Sequence, residues 1–575
     1  MIKLFRFLKP YRFTIAGILI LILLQSLSEL YLPTLMADIV DKGVVQNDIG
    51  YIWQIGGWML LVAAAGVCVS VAASYWSAKV SSGFGKLLRS KVFSHVERFS
   101  LQEFDKFGSA SLITRTTNDI TQVQQVTMMM LRMVVMALMM CIGGIIMAVS
   151  KDAELSLVIV AVMPVLALAI YVIMSRSIPL FKAMQVKIDK LNLVLREGLA
   201  GIRVIRAFNR IEYEKKRFER ANGDLTETAV RVNQIMATMM PVMMLVLNFS
   251  SIAIVWFGGL RIDSGHMQVG DLMAFIQYAM QIMFSLLMMS MMFVMIPRAS
   301  ASAVRIHDVL ETAPVIEDAP QTEEANGVRG LIEFENVTFR YPGAEQPAVS
   351  DISFRVKPGE VTAIIGGTGS GKSTLLHLIP RFYDVDAGQI RIDGVDVRQL
   401  SQQDLRSKIG FVPQKAVLFT GTVADNIRFG KDDATDEEVR HAADVAQATE
   451  FITRMGEGFD SDISQGGTNV SGGQKQRLSI ARALVRKPEI YLFDDSFSAL
   501  DLKTDAKLRA ALRSETRESA MLIVAQRVST VMDADRIIVL EDGAIAGIGR
   551  HQELLETCSV YQEIVSSQLT EEEIA

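Results

Sequence analysis

Six apolar runs in the first 300 residues constrain this chain more than any other feature. They fall at roughly 13–36, 55–76, 134–150, 155–175, 236–258 and 272–296. Each is near the ~20 residues that cross the hydrocarbon core of a bilayer, with 134–150 drawing a few more from its N-terminal side. One such run fits a buried helix of a large soluble core. Six in one half of a chain, rich in Met, Leu, Ile and Val, exclude a wholly soluble protein.

The first run follows the basic amphipathic stretch Met1–Arg12, yet it is too long for a signal peptide and no small-residue cleavage site follows it. Glu29 and Pro33 lie inside it, so it reads as a retained helix with one side against protein. Residues 2–9 (IKLFRFLK) read as a short interfacial helix. The connections 77–132 and 176–231 carry eight and thirteen Lys/Arg against four and seven Asp/Glu. This excess near the span ends places both termini and both long connections on the cytoplasmic side. Their periodicity predicts helices that continue out of the bilayer, with turns near Gly108 and Gly201. Cys68 and Cys141 fall in apolar runs, and three cysteines in all make no disulfide framework.

Residues 235–296 hold 14 of the 31 methionines, among them Met288, Met289, Met291, Met292 and Met295. Thioether side chains adapt to irregular apolar surfaces, which fits either a cavity for bulky hydrophobic compounds or ordinary lipid-facing and packing bulk. Pro241 and Pro297 are expected to bend or end helices there.

Composition shifts at 311–330 to a short polar linker, dividing a membrane domain, 1–310, from a soluble domain, 331–575. The soluble part opens on the strand-like alternation Ile332–Val337. Its strongest motif is Gly366-Gly367-Thr368-Gly369-Ser370-Gly371-Lys372-Ser373-Thr374, which follows the apolar run Val361–Ile365 and opens a helix. Glycines there let backbone N–H groups wrap phosphates at a helix start. Lys372 is placed to reach the β/γ-phosphates of ATP and Ser373 to ligate Mg²⁺. A second apolar run, Ile490–Phe493, ends in Asp494, the expected acidic partner that holds the metal directly or through water. Ser471-Gly472-Gly473-Gln474 at another helix start is a second anion-binding arrangement. It makes sense where it caps a nucleotide held by a different subunit. With 58 Lys+Arg against 63 Asp+Glu, a formal net charge of −5 gives no reason to expect a nucleic-acid partner.

Over essentially its whole length the chain resembles an ATP-binding cassette (ABC) exporter half-transporter of the multidrug-resistance-like, six-span, membrane-domain-first type. The resemblance implies six transmembrane helices with long cytoplasmic extensions followed by an α/β nucleotide-binding domain, ATP and Mg²⁺ as ligands, and a bacterial plasma-membrane location. It gives Tyr341 the part of the aromatic that stacks on adenine and Gln414 that of the glutamine contacting metal or attacking water. Ser471–Gln474 match the family's signature, and Ser498–Asp501 the loop along its dimer interface.

Two positions depart from the family pattern. Asp495 stands where the family has Glu, one methylene short of the attacking water, and a misplacement of about 1 Å can cost roughly 100-fold in rate. Gln526 stands where the family has His, and an amide neither titrates nor carries a proton. Together they lead to the expectation of an impaired ATP site in one half of a heterodimer. The partner expected is a non-identical half-transporter with Glu and His restored, exporting hydrophobic or amphipathic compounds through lipid. The alternatives are a homodimeric exporter in which Asp495 is a weaker base, a lipid or peptide translocator, and a nucleotide-gated membrane protein.

Overall fold

The computed structural model describes residues 2–320, 323 and 329–568. The chain forms two compact units, one of Met1–Glu97 with Ala110–Thr312, the other of Arg98–Ser109 with Ala313–Ala575. Much of the polar linker, residues 321, 322 and 324–328, lies outside the described residues.

Among the described residues six helices of the first unit are long and apolar enough to cross a membrane. The first, Arg12–Asp38, passes unbroken through Pro33, and residues Ile2–Tyr11 before it form a 3₁₀ helix. The second, Ile49–Val96, runs 48 residues, far beyond the ~20 that hydrocarbon requires. The long connections are therefore helical, as their periodicity indicates. Gly108, at φ 74°, closes the short helix Leu101–Phe107. Gly201 separates Ser156–Ala200 from the short helix Ile202–Ala207. Pro241 sits in the first turn of Met239–Asp263, whereas Pro297 lies within the continuous helix Val269–Glu311 and does not end it.

Small residues let these helices meet closely. A Cβ on Gly143 would lie 2.3 Å from Leu30 Cδ1, and one on Gly144 would lie 2.8 Å from Ile282 Cγ1. Ion pairs occupy the ends of the spans. Lys151 meets Asp271 at 2.7 Å and Arg261 meets Asp152 at 2.8 Å.

The second unit is built on three sheets. In chain order the strands are β1 (Ile332–Phe339), β2 (Val349–Val356), β3 (Val361–Gly366), β4 (Ala387–Ile392), β5 (Val395–Asp396), β6 (Ile409–Val412), β7 (Gly421–Thr422), β8 (Asp462–Ile463), β9 (Ile490–Asp494), β10 (Ala520–Val524), β11 (Arg536–Glu541) and β12 (Ala544–Gly549). An antiparallel sheet runs β2-β1-β4-β5, β7 pairs β8, and the central sheet runs β12-β11-β3-β10-β9-β6. From β11 to β6 the neighbours are parallel, and β12 closes one edge antiparallel. Every residue of β9 and β10 is buried, the pattern of parallel strands covered on both faces. One apolar layer includes Phe493, Ile523 and Leu478, and the other Leu492, Leu522 and Leu375.

This strand order decides where chemistry can occur. Ligands in open parallel sheets bind beyond the carboxyl ends of the strands. The order β3-β10-β9-β6 brings together the turn after Gly366, the segment after Val524, Asp494 with the residue after it, and the segment after Val412.

Candidate nucleotide site

The loop after β3 holds itself open by backbone geometry. Gly369 and Gly371 have φ of 86° and 92°, a region that side chains with a Cβ rarely occupy. At Gly371 a Cβ would also lie 2.6 Å from Ala348 O. The helix Lys372–Leu378 starts directly on this turn, so its unpaired N–H groups face the loop's concavity. Lys372 Nζ donates to Gly366 O at 2.8 Å and to Gly367 O at 2.6 Å. Burial lowers its pKa, against the pull of Asp495 and Asp494.

Ser373 Oγ donates to Asp494 Oδ1 at 2.8 Å, joining the two halves expected to grip phosphate and metal. Burial raises the Asp494 carboxyl above its ordinary range, and the Ser373 bond opposes this. A hydroxyl beside a carboxylate is the hard-oxygen donor set that suits Mg²⁺. Thr374 Oγ1 lies 3.1 Å from Tyr341 Oη. The Tyr341 ring packs edge-on against Phe339 and Tyr383, at 5.0 and 5.4 Å.

The two positions that depart from the family pattern touch one another. Asp495 Oδ2 accepts from Gln526 Nε2 at 3.0 Å and from Gln414 Nε2 at 3.3 Å. The Asp495 backbone, at φ 45°, donates its N–H to Val524 O at 2.9 Å. Asp495 is thus aimed by the strand that leads into Gln526. Burial raises its pKa, with the Gln414 bond opposing.

The signature residues are organised separately. Ser471 N-caps the helix Gly472–Leu484: its Oγ accepts from Gln474 N at 3.3 Å, and Gln474 Oε1 accepts from Ser471 N at 2.8 Å. Such a reciprocal cap leaves the remaining first-turn N–H groups for an outside acceptor. A Cβ on Gly473 would meet Ala499 O at 3.0 Å, which seats the helix start against the Ser498–Asp501 segment. Among the described residues no hydrogen bond joins Ser471–Gln474 to the phosphate loop, although Gln476 Nε2 donates to Pro413 O at 3.2 Å.

One supporting residue has no local motif to reveal it. Gln568 donates through Nε2 to Gln526 O at 2.8 Å and accepts from Val528 N at 2.9 Å. It braces the segment that carries Gln526, from 42 residues further along the chain.

A phosphate loop ending a parallel strand, an acidic strand end beside it and six membrane helices in the same chain define a nucleotide-driven membrane protein. Two family models match, the ABC transporter transmembrane region over residues 15–286 and the ABC transporter domain over 349–498. An ABC transporter ATP-binding protein of Mycobacterium tuberculosis is 45% identical over 98% of this chain and 97% of its own length. YfiB of Bacillus subtilis, also an ABC transporter ATP-binding protein, is 41% identical over 99% of each. A bacterial Atm1-family ABC exporter solved with ATP bound superposes with a TM-score of 0.82 at 26% identity, covering 97% of this chain and 99% of the other. The chain belongs to the ABC transporter family. It has the exporter architecture, carries out ATP-driven membrane transport and is an ATPase of the translocase kind. It is a multi-pass inner-membrane protein with a cytoplasmic nucleotide-binding domain.

The expectation of a non-identical partner chain is corrected by these findings. The Atm1-family exporter matched along nearly its entire length functions as a homodimer. The expectation rested on Asp495 and Gln526 as two separate losses that a different subunit must offset. In the structure the amide of Gln526 is bonded to the shorter carboxylate, so the two departures are neighbours within one site.

Proposed function

We propose that two copies of this chain form a homodimeric exporter of hydrophobic or amphipathic compounds. Each nucleotide lies between the phosphate loop of one copy and Ser471–Gln474 of the other. The observation that supports this most is the convergence of Gln414 and Gln526 on Asp495 Oδ2. Each copy then carries its own group for handling the attacking water. Gly366–Thr374 cradle the phosphates of ATP, Lys372 neutralises their charge and Tyr341 faces the base. Ser373, Asp494 and Gln414 are the residues that would hold Mg²⁺, whose charge offsets that of the phosphate oxygens. Asp495 orients the attacking water and takes its proton, while the two amides keep the carboxylate in place.

The direct test uses inside-out vesicles containing only this chain. ATP-dependent accumulation of a labelled amphiphile is the expected result. A nucleotide-gated channel would discharge a pre-formed gradient on ATP binding and accumulate nothing.

The pH dependence follows from the site. Water activation needs ionised Asp495, and burial raises the pH at which it protonates. Turnover therefore falls on acidification starting above the ordinary carboxylate value of ~3.9. Gln526 contributes no inflection. In a Gln526→His variant a new step appears near the imidazole value of ~6.5. A wild-type step removed by Asp495→Asn identifies the carboxylate, and a step that survives that substitution rejects the assignment.

Coupling to the membrane helices is assigned to the cytoplasmic tips. At the second tip Ile202, Val204 and Phe208 are exposed, Phe208 by 74%. An apolar ring so uncovered, between Arg203, Arg206 and Arg210, calls for a covering surface. Covering a large apolar side chain is worth ~1.5–3 kcal/mol, so Phe208→Ala should reduce transport per ATP by about tenfold with ATP binding retained. Unchanged transport per ATP in an assembled dimer removes Phe208 from the coupling path.

A further inference from the structure

The membrane unit contains a polar seam that the nucleotide chemistry does not use. Glu29 is the only acidic residue in the apolar run 13–36. It lies about 14 Å along the helix axis from Asp38, where the first membrane helix ends. Its carboxylate accepts from Gln25 Nε2 at 3.0 Å, and the same amide reaches Met136 Sδ at 3.9 Å. From the sixth membrane helix Gln281 Nε2 donates to the Glu29 carbonyl at 3.5 Å. Tyr278 Oη, 2.7 Å from Thr34 Oγ1 and 3.0 Å from Leu30 O, fixes the two helices together beside it.

The donors in this seam, Gln25 Nε2, Gln281 Nε2 and Tyr278 Oη, are all uncharged. Among the described residues no ion pair engages Glu29; those of the membrane unit, such as Lys151–Asp271, Arg261–Asp152 and Arg305–Asp119, lie elsewhere. Among the described residues Gln281 Oε1 is buried with no hydrogen-bond partner. So is the hydroxyl of Ser26, a residue 1% exposed and three positions before Glu29 on the same side of its helix. Ionisable groups at membrane depth are costly to keep and mark substrate or ion paths, and a buried acceptor left unpaired adds to that cost. Met280 and Phe284, beside Gln281 in sequence and one turn on, are exposed by 37% and 57%. They offer a thioether and an aromatic face that accommodate an apolar body and attract a cation.

We propose that Glu29, Gln281 and Ser26 form the polar end of the transport-substrate site, and that it takes protonated amines attached to an apolar body. An ammonium supplies what the seam lacks: a positive charge for the carboxylate and N–H donors for the unfilled oxygens. An anionic amphiphile would meet a like charge, and an uncharged one would leave the carboxylate unpaired. The inference rests on the exporter reading for its role in transport, but binding is separable from it.

The test is equilibrium binding to the full-length dimer in lipid nanodiscs without nucleotide. Radiolabelled N,N-dimethyldodecylamine, protonated at neutral pH, is compared with the uncharged N,N-dimethyldodecanamide. The wild-type protein should prefer the amine by about tenfold or more. Glu29→Gln should abolish that preference, and Glu29→Asp, which keeps the charge, should retain part of it. Equal wild-type affinity for the two probes overturns the proposal without recourse to any variant, as does a Glu29→Gln protein that still prefers the amine. ATP-driven uptake is then measured separately. Selective amine binding with no accumulation of either probe would reject the proposed export of amphiphiles and leave the site standing.

Discussion

Lys372→Ala should abolish ATP-driven transport by this chain, and Ser471→Arg should do the same, yet a dimer containing one of each should work. Lys372 supplies a cation at the mouth of the phosphate loop, where its ammonium already bonds Gly366 O and Gly367 O. Removing a preorganised donor from transferring phosphate costs about 10²–10³ in turnover. In a homodimer the loss falls on both sites, so nothing compensates. Ser471→Arg places a bulky cation at the helix start intended for the other copy's nucleotide. It also removes a cap worth ~1 kcal/mol, a small loss for a unit with so large an apolar core. In the mixed dimer one site combines both defects, and the other combines an intact loop with an intact signature. Co-expression at equal levels should therefore restore roughly a quarter of the wild-type sites, since half the dimers are mixed and each has one good site. Site occupancy and ATP turnover of the purified mixture check this. Activity no higher than that of either variant alone would mean that loop and signature serve one nucleotide within a single copy.

Much of the architecture was legible because the signals are local. Apolar runs of bilayer length and the all-buried β9 need no knowledge of their neighbours. The same holds for the phosphate loop, whose glycines carry the left-handed backbone that the turn requires. What could not be read is what depends on strand order. Asp495 and Gln526 lie 31 residues apart, and taken singly each is a lost function. Only the pairing of β10 with β9, Val524 opposite Asp494, makes them neighbours. Gln568 escaped for the same reason, since a glutamine near the end of a helical tail has no pattern to distinguish it. By position the short helix Leu101–Phe107 falls within the membrane domain 1–310, at the tip of the first long connection. Within the nucleotide-binding unit, however, Tyr383 Oη donates to Asp105 Oδ2 at 3.5 Å. Sequence continuity assigned that segment by position, and packing groups it by contact.

The pairing of Asp495 with Gln526 carries the second large expectation. Asp495→Glu alone lengthens the carboxylate by a methylene and pushes it off the two amides that hold Oδ2, at 3.0 and 3.3 Å. Gln526→His alone replaces one of those donors with a ring of different reach, leaving Gln414 as the one amide on the short carboxylate. Each single change should lower ATP turnover, because a reacting group displaced by about 1 Å can lose roughly 100-fold. The double variant exchanges the pair as a unit, with a longer carboxylate beside an imidazole, and should turn over at least as fast as the wild type. The coupling between the two positions should then lie within the ~0.5–3 kcal/mol found for residues in direct contact. Four proteins measured side by side at saturating ATP and one pH give the cycle. If the double variant equals the product of the singles, the hydrogen bond between the two side chains carries no catalytic weight. The two departures would then be independent changes, and Gln526 would lose its place beside the attacking water.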